Sequence, residues 1–213
     1  MKITAKKAVL IVAVVAAVTT ATVLIICNLN KPRMVSCDSF STSELEQLRS
    51  GDIVLRRGFG VVSSTIANSL NEEFPVSHCG IVAIDKKGRI FVYHTVSASL
   101  SDFDGMQRNT IAQFCHESVA NTLLVVRFRH NGEKPLSDLA KMAHDYYEKK
   151  VPFDNAFDIN DNSKMYCSEM VWCAMKEAFG YDIYPDKSRA EVVKFSPFFD
   201  TNNFQRIINH HKE

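Results

Sequence analysis

Three residues carry side chains that could do nucleophilic chemistry together: Cys167, His78 and His94. Cys167 stands in "SKMYCSEMVWC", where a polar loop turns into a helical pattern marked by Met170, Val171, Ala174, Met175 and Ala178. A thiol at a helix N-terminus faces free amide groups and the positive end of the helix dipole, and both lower its pKa. Free cysteines are also commonly buried as small hydrophobes, and Cys173, mid-helix among apolar neighbours, fits that description. Read alone, Cys167 fits it too. A nucleophilic cysteine needs a base within hydrogen-bond reach, itself oriented by a third group. His78 opens a β-rich run after the turn-like "FPVS", and strand ends beside loops are where site residues are displayed. His94 is the candidate orienter, since a neutral imidazole can accept the N–H of His78 and fix its tautomer. Alone, His78 also fits a surface histidine and His94 a half-exposed strand residue.

Whether the two histidines can cooperate depends on one turn. "SHCGIVAI" and "RIFVYHTV" are joined by "DKKG", which fits a type I turn over Lys86 and Lys87 with Gly88 in a left-handed bulge. In that register Asp85 faces Arg89 and His78 faces Val96, so His94 lies on the face of His78, diagonal to it. A four-residue loop would send His94 to the other face. A zinc site from His78, Cys79, His94 and Cys167 is disfavoured, because adjacent strand residues point to opposite faces and no ligand-type spacing appears. No metal or other cofactor is implied.

Other elements must hold these residues in place. Ser41 and Glu44 form a capping-box pattern that opens a short helix, ended by Gly51. "DIVLRR" reads as a strand and "VVSSTIANSL" as a helix. "TLLVVRFR", residues 122–129, is apolar enough for a central strand. "PLSDLAKMAHDYYEKK" is an amphipathic helix, and "VPFDNAFDINDNSK" is a polar loop with aromatics. The Cys167 helix ends at Gly180. The tail alternates loop with a short helix or strand. The pattern is α+β, a small antiparallel sheet flanked by helices.

The chain has 213 residues and a formal net charge of +1, which gives no reason to expect a nucleic-acid partner. Lys2, Lys6 and Lys7 precede an uncharged run from Ala8 to Cys27. Roughly 20 such residues can span a bilayer. Residues 1–33 are therefore expected to be a membrane anchor, or a cleaved export signal. Either places the rest outside the cytoplasm, periplasmic or at the cell surface. Lipidation at Cys27 ranks below anchoring, because Ile26 is bulky. Residues 34–43 read as a linker and 44–213 as one domain. The six cysteines show no CxxC pair. Cys167 and Cys173 lie about 240° apart around one helix, so they cannot bond to each other there.

"SGDIVLRRG", "SHCGIVAI", "VYHTV", "VPFDNAFD" and "MYCSEMVW", in this order, closely resemble the YiiX-like branch of the permuted NlpC-type, papain-like cysteine hydrolases. The lecithin:retinol acyltransferase group is similar in layout. His78 precedes Cys167, the circularly permuted order. The resemblance covers about Leu48 to the C-terminus and implies a circularly permuted papain-like fold. It implies Cys167 as nucleophile, His78 as base and His94 as third member, where many such relatives carry glutamate. Asp154 matches an aspartate of the family's "YD" stretch, with Phe153 here in place of the tyrosine. It stands between a substrate contact and a turn residue. Tyr166 stands between lining the site and packing. The implied activity is a cysteine amidase or peptidase (a thiol protease) working through an acyl-enzyme on cell-wall peptides or other small amides. A thiol acyltransferase or lipid esterase on the same fold, and a membrane-tethered binding protein, are the alternatives. The partners implied are a small peptide, amide or acyl substrate and, through the N-terminal helix, a membrane.

Overall fold

The computed structural model describes residues 37–129, 132–184 and 192–211. The expected anchor over residues 1–33 lies outside them. Among the described residues no helix is long and apolar enough to cross a membrane.

In chain order the elements are α1 (Thr42–Leu45), β1 (Ile53–Arg56), α2 (Gly60–Leu70), β2 (His78–Ile84), β3 (Ile90–Val96), β4 (Gly105–Thr110), α3 (Ile111–His116), β5 (Leu124–Phe128), α4 (Ser137–Glu148), α5 (Cys167–Phe179), a 3-10 turn (Ser196–Phe199) and β6 (Phe204–Asn209). The strands form one antiparallel sheet in the order β4-β3-β2-β1-β5-β6. This is the expected α+β arrangement.

Strand alternation divides the core in two. Ile53, Leu55, Cys79, Ile81, Tyr93, Leu124 and Val126 face α4 and α5, whose Leu139, Ala143, Met170, Val171 and Ala174 are fully buried against them. Val54, Val82, Val92 and Val125 face the other way, onto Leu48 and onto Ile111, Phe114 and Cys115 of α3. The hairpin turn sets this alternation. The Asp85 N–H donates to the Arg89 carbonyl at 3.0 Å, the Gly88 N–H to the Asp85 carbonyl at 2.9 Å, and Gly88 has φ 74°. Ile84 pairs with Ile90 and Ile81 with Tyr93, which is the three-residue-loop register.

Two parts differ from the sequence-based expectation. From Cys37 onward, the stretch expected as a linker is built into the domain. Cys37 bridges to Val119, and the buried Asp38 carboxylate accepts the backbone N–H groups of Thr122 (2.9 Å) and Leu123 (3.1 Å) and contacts His210 (2.8 Å). Buried amide groups without partners are costly, so this carboxylate fixes the chain. The second difference is the consecutive pair β4 and α3, which supply the sheet edge and the helix covering the histidine face. Of the two options for the tail, residues 204–209 form a strand.

Candidate active site

β1 ends at Arg56 and β2 begins at His78, and these two residues pair across the strands. At the same sheet end β3 finishes at Val96, opposite Gly105 of β4. His78 and His94 point to the α3 face. His78 Nε2 lies 2.8 Å from His94 Nδ1, and the rings meet edge to face with centroids 5.0 Å apart. Both pack on Phe114, His78 stacked at 5.8 Å and His94 edge-on at 5.4 Å. The close approach of His94 depends on Gly80. A Cβ there would lie 2.5 Å from Val92 Cγ1, 2.7 Å from the Tyr93 carbonyl oxygen and 3.1 Å from His94 Cβ.

Arg56 completes this cluster and carries a buried positive charge. Its guanidinium lies 4.6 Å over the Phe114 ring. It donates to the Glu117 carboxylate at 2.8 Å and to the Glu117 carbonyl, while its buried Nε has no hydrogen-bond partner. Burial, reinforced by the Arg56 charge, pulls His94 down to about 3. The same two causes, in that order, hold His78 well below the usual imidazole range, with His94 adding to them. Both rings are thus neutral bases at neutral pH.

Cys167 is the first residue of α5, after Tyr166 in extended conformation (φ −91°, ψ 172°). The chain arrives there under restraint: the buried Thr95 hydroxyl donates to the Met165 carbonyl (3.2 Å), and the Met165 N–H donates to the Pro152 carbonyl (3.1 Å). The half-buried Cys167 thiol is held below its ordinary pKa, first by the Cys79 side chain, against the opposing cost of burial. The backbone amides of Cys79, Ser168 and Cys167 itself add to the lowering. Cys79, buried and adjacent to that sulfur, is pushed well above its ordinary value. The sheet therefore sets Cys79 against the Cys167 sulfur, while His78, the preceding residue, lies on the other face beside Arg56 and His94.

Asp154 and Tyr166 lie beside the start of α5. Asp154 is 2% exposed, and its carboxylate accepts the N–H groups of Ala156 (2.9 Å) and Asp158 (2.6 Å), which folds the loop before α5. Tyr166 is also 2% exposed, and its hydroxyl accepts the Val193 N–H at 2.6 Å. A buried neighbour beside them makes a capping contact. Glu169 caps α5 by accepting the Tyr166 N–H at 3.3 Å, and its Oε1 is buried without a hydrogen-bond partner. Burial, with Asp154, Asp158 and Asp161 nearby, pushes its carboxyl up to about 8 against the pull of the Tyr166 N–H. Arg56 was missed from the sequence, although the alternation in "DIVLRR" puts it on the face of Val54. Among the described residues, no group of three or more His, Cys, Asp or Glu side chains is arranged to hold a metal ion.

A family model described as permuted papain-like amidase enzyme, YaeF/YiiX, C92 family, matches residues 47–192. No curated protein matches the chain. Among solved structures, the crystal structure of metalloprotein YiiX from Escherichia coli O157:H7 is similar at 18% identity and TM-score 0.58, covering 78% of this chain and 99% of that one. That likeness is one of fold.

Proposed function

Since the chain belongs to the permuted papain-like amidase family of YaeF and YiiX, we propose that Cys167 is its nucleophile and His78 its base, oriented by His94. The observation that carries this reading is the Cys167 sulfur at the start of α5, its pKa lowered by Cys79 and by amides of the helix start. In the proposed reaction the Cys167 sulfur attacks an amide carbonyl while its proton passes to His78. The departing amine takes that proton as the C–N bond breaks, leaving a thioester. Water then attacks the thioester, giving a proton to His78, and the acid leaves as the proton returns to sulfur. The Cys167 backbone N–H is one oxyanion donor. His94 Nδ1 accepts from His78 Nε2, which leaves Nδ1 of His78 to carry the proton. The fixed positive charge near the resting thiol is that of Arg56, and His78 becomes positive only as it takes the proton.

The substrate reading is a small amide or a cell-wall peptide, met outside the cytoplasm. Its support is the order of the basic residues Lys2, Lys6 and Lys7 before the uncharged run Ala8–Cys27. The test is iodoacetamide labelling of Cys167 against pH, beside amide turnover by Cys167→Ala. Labelling is expected to be half-maximal below the ordinary thiol pKa of ~8.5, with turnover lost in the variant. Retained turnover in Cys167→Ala sinks the reading.

A further inference from the structure

The described residues expose six large apolar side chains, Phe59, Val61, Val62, Leu100, Phe103 and Phe157. All six lie at the sheet end that carries His78 and Cys167. Phe59, Val61 and Val62 follow β1 into the first turn of α2. Leu100 and Phe103 sit between the end of β3 and the start of β4. Phe157 packs on Tyr166 at 5.1 Å, just before Cys167. Its loop is tied to the β3–β4 connection, because Ser97 donates to Asn155 at 2.8 Å and the Phe153 N–H to Asp104 at 3.3 Å. Val61 is 83% exposed and Phe103 73%. The opposite sheet end is polar, with the Asp85–Arg89 turn presenting Lys86 and Lys87 and the turn before β6 built on Asp200 and Asn203. Single exposed apolar residues need no explanation, but a cluster at one pole around a nucleophile marks an interaction surface.

The start of the described chain indicates what covers it. Cys37 bridges to Val119, whose N–H donates to the Arg57 carbonyl at 2.9 Å, so the chain enters the domain at this same end. Nine residues, 28–36, separate Cys37 from the uncharged run Ala8–Cys27. Nine extended residues reach about 30 Å. A run of that length seated in a bilayer would leave this pole within reach of the lipid. Asp102, between Leu100 and Phe103, suits a zwitterionic surface better than an anionic one.

We propose that this apolar pole is a bilayer-docking face, which presents Cys167 to amides carried by membrane-resident amphiphiles. Loops of this kind bind by burying apolar side chains at the level of the headgroups. The substrate half of this proposal rests on Cys167 as nucleophile; the docking half does not.

The test uses the full chain with phosphatidylcholine vesicles whose acyl chains carry bromine, a contact quencher of tryptophan. The single native tryptophan, Trp172, is buried at 1% exposure and provides a constant background. Val61→Trp and Phe103→Trp place a reporter on the pole, and Lys87→Trp places one at the opposite sheet end. Quenching in the first two is expected to exceed that in Lys87→Trp at least threefold. Equal quenching in all three, with the protein floating with the vesicles, overturns the docking face, as does failure to float. If quenching follows the pole but Cys167→Ala still turns over amide, docking stands and the nucleophile assignment falls.

Discussion

His78 Nε2 and His94 Nδ1 share one proton across 2.8 Å, on the side of the sheet away from the Cys167 helix. Two neutral imidazoles can hold such a bond only as one donor and one acceptor, so the tautomer of one ring dictates that of the other. The space for it is created by Gly80, which brings the first prediction. Gly80→Ala drives a methyl group into Val92 and the Tyr93 carbonyl oxygen. Since backbone cannot move aside as a side-chain tip can, a loss on the order of 1–3 kcal/mol is expected. Thermal unfolding measures it. A melting temperature unchanged from the parent would show that β2 and β3 have room to separate.

The second prediction concerns sulfur. The Cys79 side chain is the largest contributor to the lowered pKa of Cys167. Cys79→Ala removes that donor, and the midpoint of Cys167 alkylation against pH is expected to rise. Cys79→Ser keeps a donor at the same place and should fall nearer the parent. Identical midpoints for all three proteins would mean that the helix amides alone hold the thiolate.

The third concerns Arg56. Its charge lowers both imidazoles, after the larger effect of burial. Arg56→Gln removes the charge, so protonation becomes easier and both pKa values rise. The acidic limb of kcat/KM should therefore move to higher pH, while the thiol midpoint also rises for lack of the nearby cation. A pH–rate profile of the variant superimposed on that of the parent would exclude Arg56 from the electrostatics of the site.

The fourth concerns Glu169, whose carboxyl is pushed up to about 8 from an ordinary 4.5. Between those values the folded chain keeps a proton that the unfolded chain releases. Stability from this group is thus complete below about 4.5 and is lost as pH climbs through about 8. Glu169→Gln retains an acceptor for the Tyr166 N–H without the charge. Its melting temperature relative to the parent is expected to rise steadily from pH 5 to pH 9. A constant difference across that range would show that Glu169 is ionised in the fold.

The histidine pair was legible in the sequence because "DKKG" admits few turns, and the turn fixes which side chains share a face. The start of α5 was legible from helical periodicity after a polar loop. β4 and α3 were not: "GMQRNT" buries only Gly105 and Met106, and "IAQFCH" is under two turns long. One signal was available, the capping box of Thr110 and Gln113, which the structure contains. Arg56 stayed hidden for another reason. Its ion pair joins residues 61 apart in sequence, and a cation on an inward strand position makes sense only once Glu117 and Phe114 are brought to it. The six apolar residues of the pole, spread over three connections, gather only through the topology.

His78 and Cys79 are consecutive and look in opposite directions, so a single peptide unit separates the proton-handling cluster from the sulfur. The proposed proton transfer therefore has to pass at the end of the sheet where β2 begins. Changes on the α3 side can retune basicity without disturbing the packing around the thiol, and changes on the α5 side can reshape the nucleophile without touching the bases. Divergence in a protein built this way can proceed from either face of the sheet, with Arg56 the charge felt on both.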